Sequence, residues 1–282
     1  GIRDGIILKI GKLETSRGML VIDAQKKFVV PGFIDMHTHS DSIQDEKRKN
    51  ALNYLTQGVT TMITGNCGGG TYNVDEFFRI LEEQGSGINI VHLVGHGTVR
   101  SAVMQNEDRE PTDEEMQKMK SLVEKAMQEG AAGFSSGLFY APGSYSKTEE
   151  VIELCQVVEK YGGFYATHIR DESNYSIGLL ASIEEAVEIG ERAGVPVQIS
   201  HIKALGKSVW GKAQEVCQVI EAAQKRGVII YADQYPYNAS STSLAAATIP
   251  RWVQAGRKMR ERLKDPLLIP GIKKEIAENI ER

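Results

Sequence analysis

Four of the six histidines in this 282-residue sequence, and one of its three cysteines, stand where short apolar runs end. The first pair closes Pro31-Gly32-Phe33-Ile34-Asp35-Met36-His37-Thr38-His39. Alternate side chains of a strand point to the same side, so His37 and His39 leave one face together and can grip one metal ion. Two hydrogen-bonded histidines without further duty are the plain alternative, and donors downstream weigh against it. Cys67 sits in Thr64-Gly65-Asn66-Cys67-Gly68-Gly69-Gly70, off any helical stripe and among glycines that let the backbone approach a ligand closely. His168 and His201 follow two later apolar runs, in Thr167-His168-Ile169-Arg170-Asp171-Glu172 and Ser200-His201-Ile202-Lys203. A Cys-His-His set with an open fourth position has the ligand count of a hydrolytic zinc site, whereas closed structural sites use all four. Mixed nitrogen and sulfur ligation argues for zinc over magnesium or calcium.

These residues need elements to carry them. From Gly32 onward the pattern of apolar strand, polar loop and amphipathic helix repeats, as a parallel sheet covered by helices requires. Strands are expected at 33–36, 59–64, 89–94, 133–138, 164–167, 196–200 and 228–232. Thr112 with Glu115, and Ser146 with Glu149, have the spacing of capping boxes, and Gly162, Gly194 and Gly227 are placed to close helices. Met116, Met119, Val123 and Met127 recur at helical spacing, as do Val151, Leu154, Cys155 and Val158, and Ala213, Val216, Cys217 and Ile220. Such stripes pack, so Cys155 and Cys217 are assigned to the core. The charge runs 45–49 and 113–120 read as solvated helix faces.

A series of β-α units closes into a barrel when there are eight, with its chemistry at the C-terminal strand ends. Seven strands are found, and past Arg251 only an amphipathic stretch at 253–263 and a polar tail to Arg282 remain. The expectation is an α/β (β/α)8 TIM-type barrel over 31–282 whose eighth strand lies beyond this chain, with an open doubly wound sheet as the alternative. Before it, 6–11, 19–22 and 28–30 read as small antiparallel strands, so 1–30 is expected to be part of a small β-sandwich domain.

Composition narrows the partners. A net charge of -4 with both signs interspersed offers no basic stripe for nucleic acid and no polybasic arm for a membrane. An odd cysteine count, with no charged-then-apolar leader, suggests a reducing, cytoplasmic setting. The opening Gly1-Ile2-Arg3-Asp4-Gly5 begins inside a turn rather than at an initiator methionine, so an upstream piece is expected.

Taken with Gly58-Val59-Thr60-Thr61, Gly95-His96-Gly97-Thr98-Val99-Arg100, Ser135-Ser136-Gly137-Leu138 and Asp233-Gln234-Tyr235-Pro236-Tyr237, these motifs resemble the N-acyl-D-amino-acid deacylases (D-aminoacylases) of the amidohydrolase superfamily. The paired histidines mark only the superfamily; Gly65-Asn66-Cys67-Gly68, in place of the usual bridging lysine or acid, is more specific. The resemblance implies a tightly bound zinc on Cys67, His168 and His201 and a weaker second site at His37 and His39. It implies that Lys203, Tyr235 and Ser241 bind the substrate's carboxylate, for which an ammonium and two hydroxyls are suitable donors. The implied reaction cleaves the amide of a small N-acyl-D-amino acid to a carboxylate and a free D-amino acid. The family's catalytic aspartate and a substrate-binding arginine follow the eighth strand, hence beyond residue 282; Asp233 follows the seventh and is not its counterpart. His96 and Arg100 either bind the acyl oxygen or brace their glycine-rich loop. Arg170, Asp171 and Glu172 are expected to orient His168, and Asp41 the first histidine pair. Two other readings stand: a dihydroorotase- or hydantoinase-like cyclic-amide hydrolase, which uses a lysine where this chain has Ser135 and Ser136, and a non-catalytic metal-binding scaffold.

Overall fold

A computed structural model describes residues 1–15 and 18–281 and divides into two compact units, Gly1–Gly32 and Phe33–Arg282. In the first, β1 (Ile2–Arg3) and β2 (Ile6–Ile7) pair antiparallel around Asp4 and Gly5. Both turn residues have positive φ, 51° and 76°, as the commonest two-residue hairpin loop demands. The strands expected at 19–22 and 28–30 do not form, and that at 6–11 is limited to Ile6–Ile7. Met19, Leu20, Ile22 and Phe28 are all more than 75% exposed (107%, 78%, 77% and 96%), and apolar alternation without a partner strand or a second layer does not fix a ladder.

In the second unit seven strands pair in chain order, all parallel: β3 (Phe33–Asp35), β4 (Val59–Thr64), β5 (Asn89–Gly95), β6 (Gly133–Gly137), β7 (Phe164–His168), β8 (Val197–Ile199) and β9 (Ile230–Ala232). Between them run α1 (Leu52–Leu55), α2 (Val74–Gln84), α3 (His96–Met104), α4 (Asp113–Gln128), α5 (Thr148–Glu159), α6 (Leu179–Ala193) and α7 (Ala213–Lys225). The sheet is curled into an incomplete barrel. Residues just past β4 and β8, four strands apart, approach to 3.6 Å, whereas a flat sheet would hold them about 19 Å apart. Among the described residues no strand pairs the outer edges of β3 and β9, where Phe33, Ile34 and Tyr231 are 58%, 60% and 64% exposed.

The core lies between sheet and helices and buries the expected stripes of α4 and α5, Cys155 included. Cys217 is exposed, contrary to expectation. The buried face of α7 runs through Val216 and Ala223, and the residue after Val216 is turned about 100° away from it. Thr112 and Glu115 form the predicted box: the Glu115 N–H donates to the Thr112 hydroxyl (3.2 Å) and the Thr112 N–H to the Glu115 carboxylate (2.9 Å). Ser146 caps nothing; its hydroxyl donates to the Gly143 carbonyl, and α5 starts two residues later behind Lys147. Gly162, Gly194 and Gly227 hold left-handed φ values of 67°, 75° and 95° after their helices, as predicted. Residues 45–49 form turns rather than a helix face, since a run this short does not repay helix nucleation.

After β9 the chain departs further from expectation. The stretch at 253–263 is broken into α9 (Arg251–Gln254), a 3-10 turn and α10 (Met259–Arg262), with Gly256 at φ 63° in the kink. The supposed polar tail forms α11 (Ile269–Glu281), which docks on α8 (Leu244–Thr248) and α9: the Asn279 amide donates to the Thr248 carbonyl, and the Trp252 indole to Glu275. Among the described residues no helix is long and apolar enough to cross a membrane.

Candidate metal centre and substrate cavity

The segment after β3 is pinned before it reaches any ligand. The Thr38 hydroxyl donates to the Ile63 carbonyl at 2.7 Å, which fixes the His37-Thr38-His39 run on β4. Asp41 accepts the Gly65 N–H at 2.8 Å, so it anchors the cysteine turn and does not hydrogen-bond either ring as expected.

The turn at 65–70 is sterically committed to glycine. A Cβ at Gly65 would stand 2.1 Å from the Leu93 carbonyl oxygen, and one at Gly70 1.9 Å from the same atom. Cys67 itself is left-handed at φ 53°, and His201 at φ 38°, a cost that non-glycine residues bear mostly where function over-determines the backbone. Ser135 holds the turn from β6: it accepts the Gly68 N–H at 3.0 Å and donates to the Gly65 carbonyl. Ser136 bonds Tyr165 and Thr167. Both serines are thus spent on structure.

His168 ends β7, and His201 lies two residues past β8 with its N–H on Asp233 (2.7 Å), whose other oxygen accepts from Gln198 (2.7 Å). The donor atoms converge. Cys67 Sγ is 3.8 Å from His168 Nδ1 and 3.6 Å from His201 Nε2, and those nitrogens are 2.9 Å apart. His37 Nε2 lies 3.7 Å from the same sulfur and 3.3 Å from His39 Nε2. Tetrahedral ligands at zinc distances stand about 3.3 to 3.6 Å from one another. Burial pushes the Cys67 thiol up to about 12; burial first, then the neighbouring histidines and Lys203, takes His37 down to about 3, and burial takes His168 to about 3 against the opposing pull of Glu172. Neutral imidazoles are ready ligands, and a divalent cation restores the thiolate that burial disfavours. The donor set fits a metal ion.

Of the three residues expected to orient His168, only Glu172 touches the cluster. Its Oε1 bonds Lys203 Nζ, is 3.2 Å from His201 Nδ1, and is 3.8 Å from His168 Nε2. Burial opposes its ionisation, but the hydrogen bond from His201 and the nearby cations bring its carboxyl down to about 2. Arg170 instead forms a two-pronged pair with Glu185, and Asp171 gathers the Ser173, Ser176 and Gly178 N–H groups to order the following loop. His96 and Arg100 are not in a loop. They occupy the first turns of α3, fully buried, and share Glu150 of α5, with His96 Nε2 at 2.7 Å. They brace.

A cavity of about 600 Å³ opens over the cluster, lined by His37, His39, His168 and His201 and by Lys203, Tyr235 and Ser241. Phe139 and Tyr140, just after β6, pack their rings 5.7 and 4.6 Å from His168. The far wall, from Arg251 and Trp252 to Glu275 and Asn279, belongs to α9 and α11, whose sequences carry no local sign of a site.

A sequence profile described as the amidohydrolase family matches residues 20–250. A D-aminoacylase of Alcaligenes xylosoxydans xylosoxydans is 38% identical across 89% of this chain and 57% of its own length. An N-acyl-D-glutamate deacylase of the same organism is 33% identical across 86% of this chain and 54% of its length. The chain therefore spans about half the length of the curated relatives it matches. A solved N-acyl-D-glutamate deacylase from Bordetella bronchiseptica, complexed with zinc and a phosphonate mimic of the tetrahedral intermediate, superposes with a TM-score of 0.71 at 33% identity, covering 77% of this chain and 50% of that one.

Proposed function

The chain belongs to the amidohydrolase family, and from that premise we propose that the complete protein hydrolyses N-acyl-D-amino acids to a carboxylate and a free D-amino acid. The observation that carries this reading is the convergence of Cys67, His168 and His201, the two histidines lining a cavity that Lys203, Tyr235 and Ser241 also line. Cys67, His168 and His201 would hold a tight zinc, and His37 and His39 a weaker second ion. When bound there, the ion supplies Lewis acidity toward a water molecule and an amide carbonyl.

The chain's own groups do the rest. Lys203, Tyr235 and Ser241 bind and orient the substrate carboxylate beside the cluster. Glu172 fixes both the Lys203 ammonium and the His201 imidazole, so substrate and ligand geometry depend on one carboxylate. Two carboxylates beside the cluster, Glu172 and Asp233, are both committed to hydrogen bonds, and neither is assigned the proton transfer from water to the leaving amine. With Ser135 and Ser136 engaged, β6 offers no bridging ligand of the cyclic-amide type.

Initial rates of the complete protein on matched N-acetyl D- and L-amino acids, with dihydroorotate and hydantoin alongside, test the proposal. Turnover of the D-series alone is expected; equal rates on both enantiomers, or turnover of the cyclic amides instead, would overturn it.

A further inference from the structure

A second cavity, of about 400 Å³, lies beside the first, and Tyr140 lines both. It meets the metal centre from another side: Cys67 lines this cavity, whereas the ligand histidines line the first. The two differ in chemistry. Arg170, Glu172, Lys203, Arg251 and Glu275 wall the first, whereas among the described residues no charged side chain lines the second. Its polar side chains are already engaged: the Thr98 hydroxyl donates to the Gly68 carbonyl at 3.4 Å, and the Ser101 hydroxyl to the Asn106 amide oxygen at 2.6 Å. Gly68, Gly69, Gly97, Gly137 and Gly143 supply much of the remaining lining, so the space is open where side chains would otherwise stand. A cavity without charge, whose hydroxyls are spent, suits an uncharged chain and not an ion.

Amide geometry says which arm of the substrate would enter it. A trans amide sends its acyl carbon and its Cα in opposite directions. The His201 ring spans the matching points of the protein: Nδ1 lies 2.9 Å from Lys203 Nζ, and Nε2 lies 3.6 Å from Cys67 Sγ. With the α-carboxylate at Lys203, on the Nδ1 side, the acyl arm points to the Nε2 side, where Cys67 and Tyr140 border the second cavity. Tyr140 is fixed there, its ring 4.6 Å from His168 and its hydroxyl accepting from Thr242 at 3.3 Å. Resting on the deacylase reading above, we propose that the cavity between the Cys67 turn, α3 and the loop at 140–143 is an acyl subsite, and that it takes neutral, unbranched acyl chains longer than acetyl.

The test measures kcat/KM of the complete protein on N-acetyl-, N-butyryl-, N-hexanoyl- and N-octanoyl-D-alanine, for the unaltered protein, Ser101→Phe and Asn106→Asp. In the unaltered protein kcat/KM is expected to climb about two- to fourfold per methylene buried, so that octanoyl exceeds acetyl by roughly tenfold or more. Ser101→Phe places a ring in the cavity one turn of α3 beyond Gly97; it should cut the octanoyl value by about tenfold and leave the acetyl value within about twofold. Asn106→Asp keeps the acceptor for Ser101 but puts a charge beside the chain, and should lower the octanoyl-to-acetyl ratio by about three- to tenfold. A flat or falling series in the unaltered protein would overturn the inference, and turnover of the acetyl substrate would then leave the deacylase reading intact. Equal losses on acetyl and octanoyl substrates in both variants, or no loss in either, would also overturn it. No turnover of any N-acyl-D-amino acid would overturn both proposals together.

Discussion

Two buried glutamates of this molecule look alike on paper and do different work. Glu150 accepts from His96 and pairs with Arg100; Glu172 pairs with Lys203 and faces His201 and His168. Both carboxyls lie below their ordinary value against the pull of burial. The difference is in what surrounds them. Around Glu150 the partners are fully buried between α3 and α5 and line no part of the large cavity, so the charges join these helices and, through Arg100, the Glu107 and Arg109 carbonyls of the following loop. Around Glu172 the same kind of pair borders a sulfur and two imidazoles that converge, and the cavity opens on the imidazoles. A buried ion cluster is thus no sign of chemistry by itself. Convergent ligand atoms and access make the difference.

The contrast breaks or sharpens under substitution. Cys67→Ala has the largest expected effect: it removes the sulfur from the cluster, and metal content of the purified protein should fall from about one zinc per chain to near zero. Retention of the full complement would move the tight site to His37 and His39. Glu150→Gln leaves Arg100 buried without its counter-charge and is expected to cost about 3 to 5 kcal/mol in denaturant unfolding, with metal content per folded chain unchanged. Because the folded Glu150 carboxyl lies below its ordinary 4.5, its contribution is present above that pH and fades as pH falls through the folded value. The variant should therefore lose less stability on acidification than the parent. Glu172→Gln is the mildest of the three: stability should change less than in Glu150→Gln, while kcat/KM drops about 10- to 100-fold as His201 and Lys203 lose their shared anchor. If Glu150→Gln impaired turnover at full stability, or Glu172→Gln acted only on stability, the contrast would be lost.

Much of the fold was legible because parallel strands announce themselves locally. The runs around 59–64, 89–94 and 164–167 are apolar, bounded by glycine or polar residues, and separated by helices with a clear period. The convergent cysteine and histidine donors stand out for the same reason, since they follow the ends of such runs. Long-range partners were not. Glu150 lies 50 residues from Arg100 and Ser135 lies 67 from Gly68, and no local pattern links such pairs. Cys217 was misplaced because Val216 and Cys217 are both apolar, and a single helix step decides which faces inward. Ser146 has the spacing of a cap, but its hydroxyl donates to the Gly143 carbonyl and α5 starts two residues later, behind Lys147.

The close approach of Gly65 and Gly70 to Leu93 bears on how this centre can be altered. The turn that carries Cys67 has no slack, because a side chain at either glycine would have to displace the neighbouring strand. Ligand identity is therefore open to change one atom set at a time at position 67, whereas lengthening, grafting or reshaping the loop would have to rebuild β5 along with it. Donor chemistry at this centre is adjustable, and donor placement is inherited with the barrel.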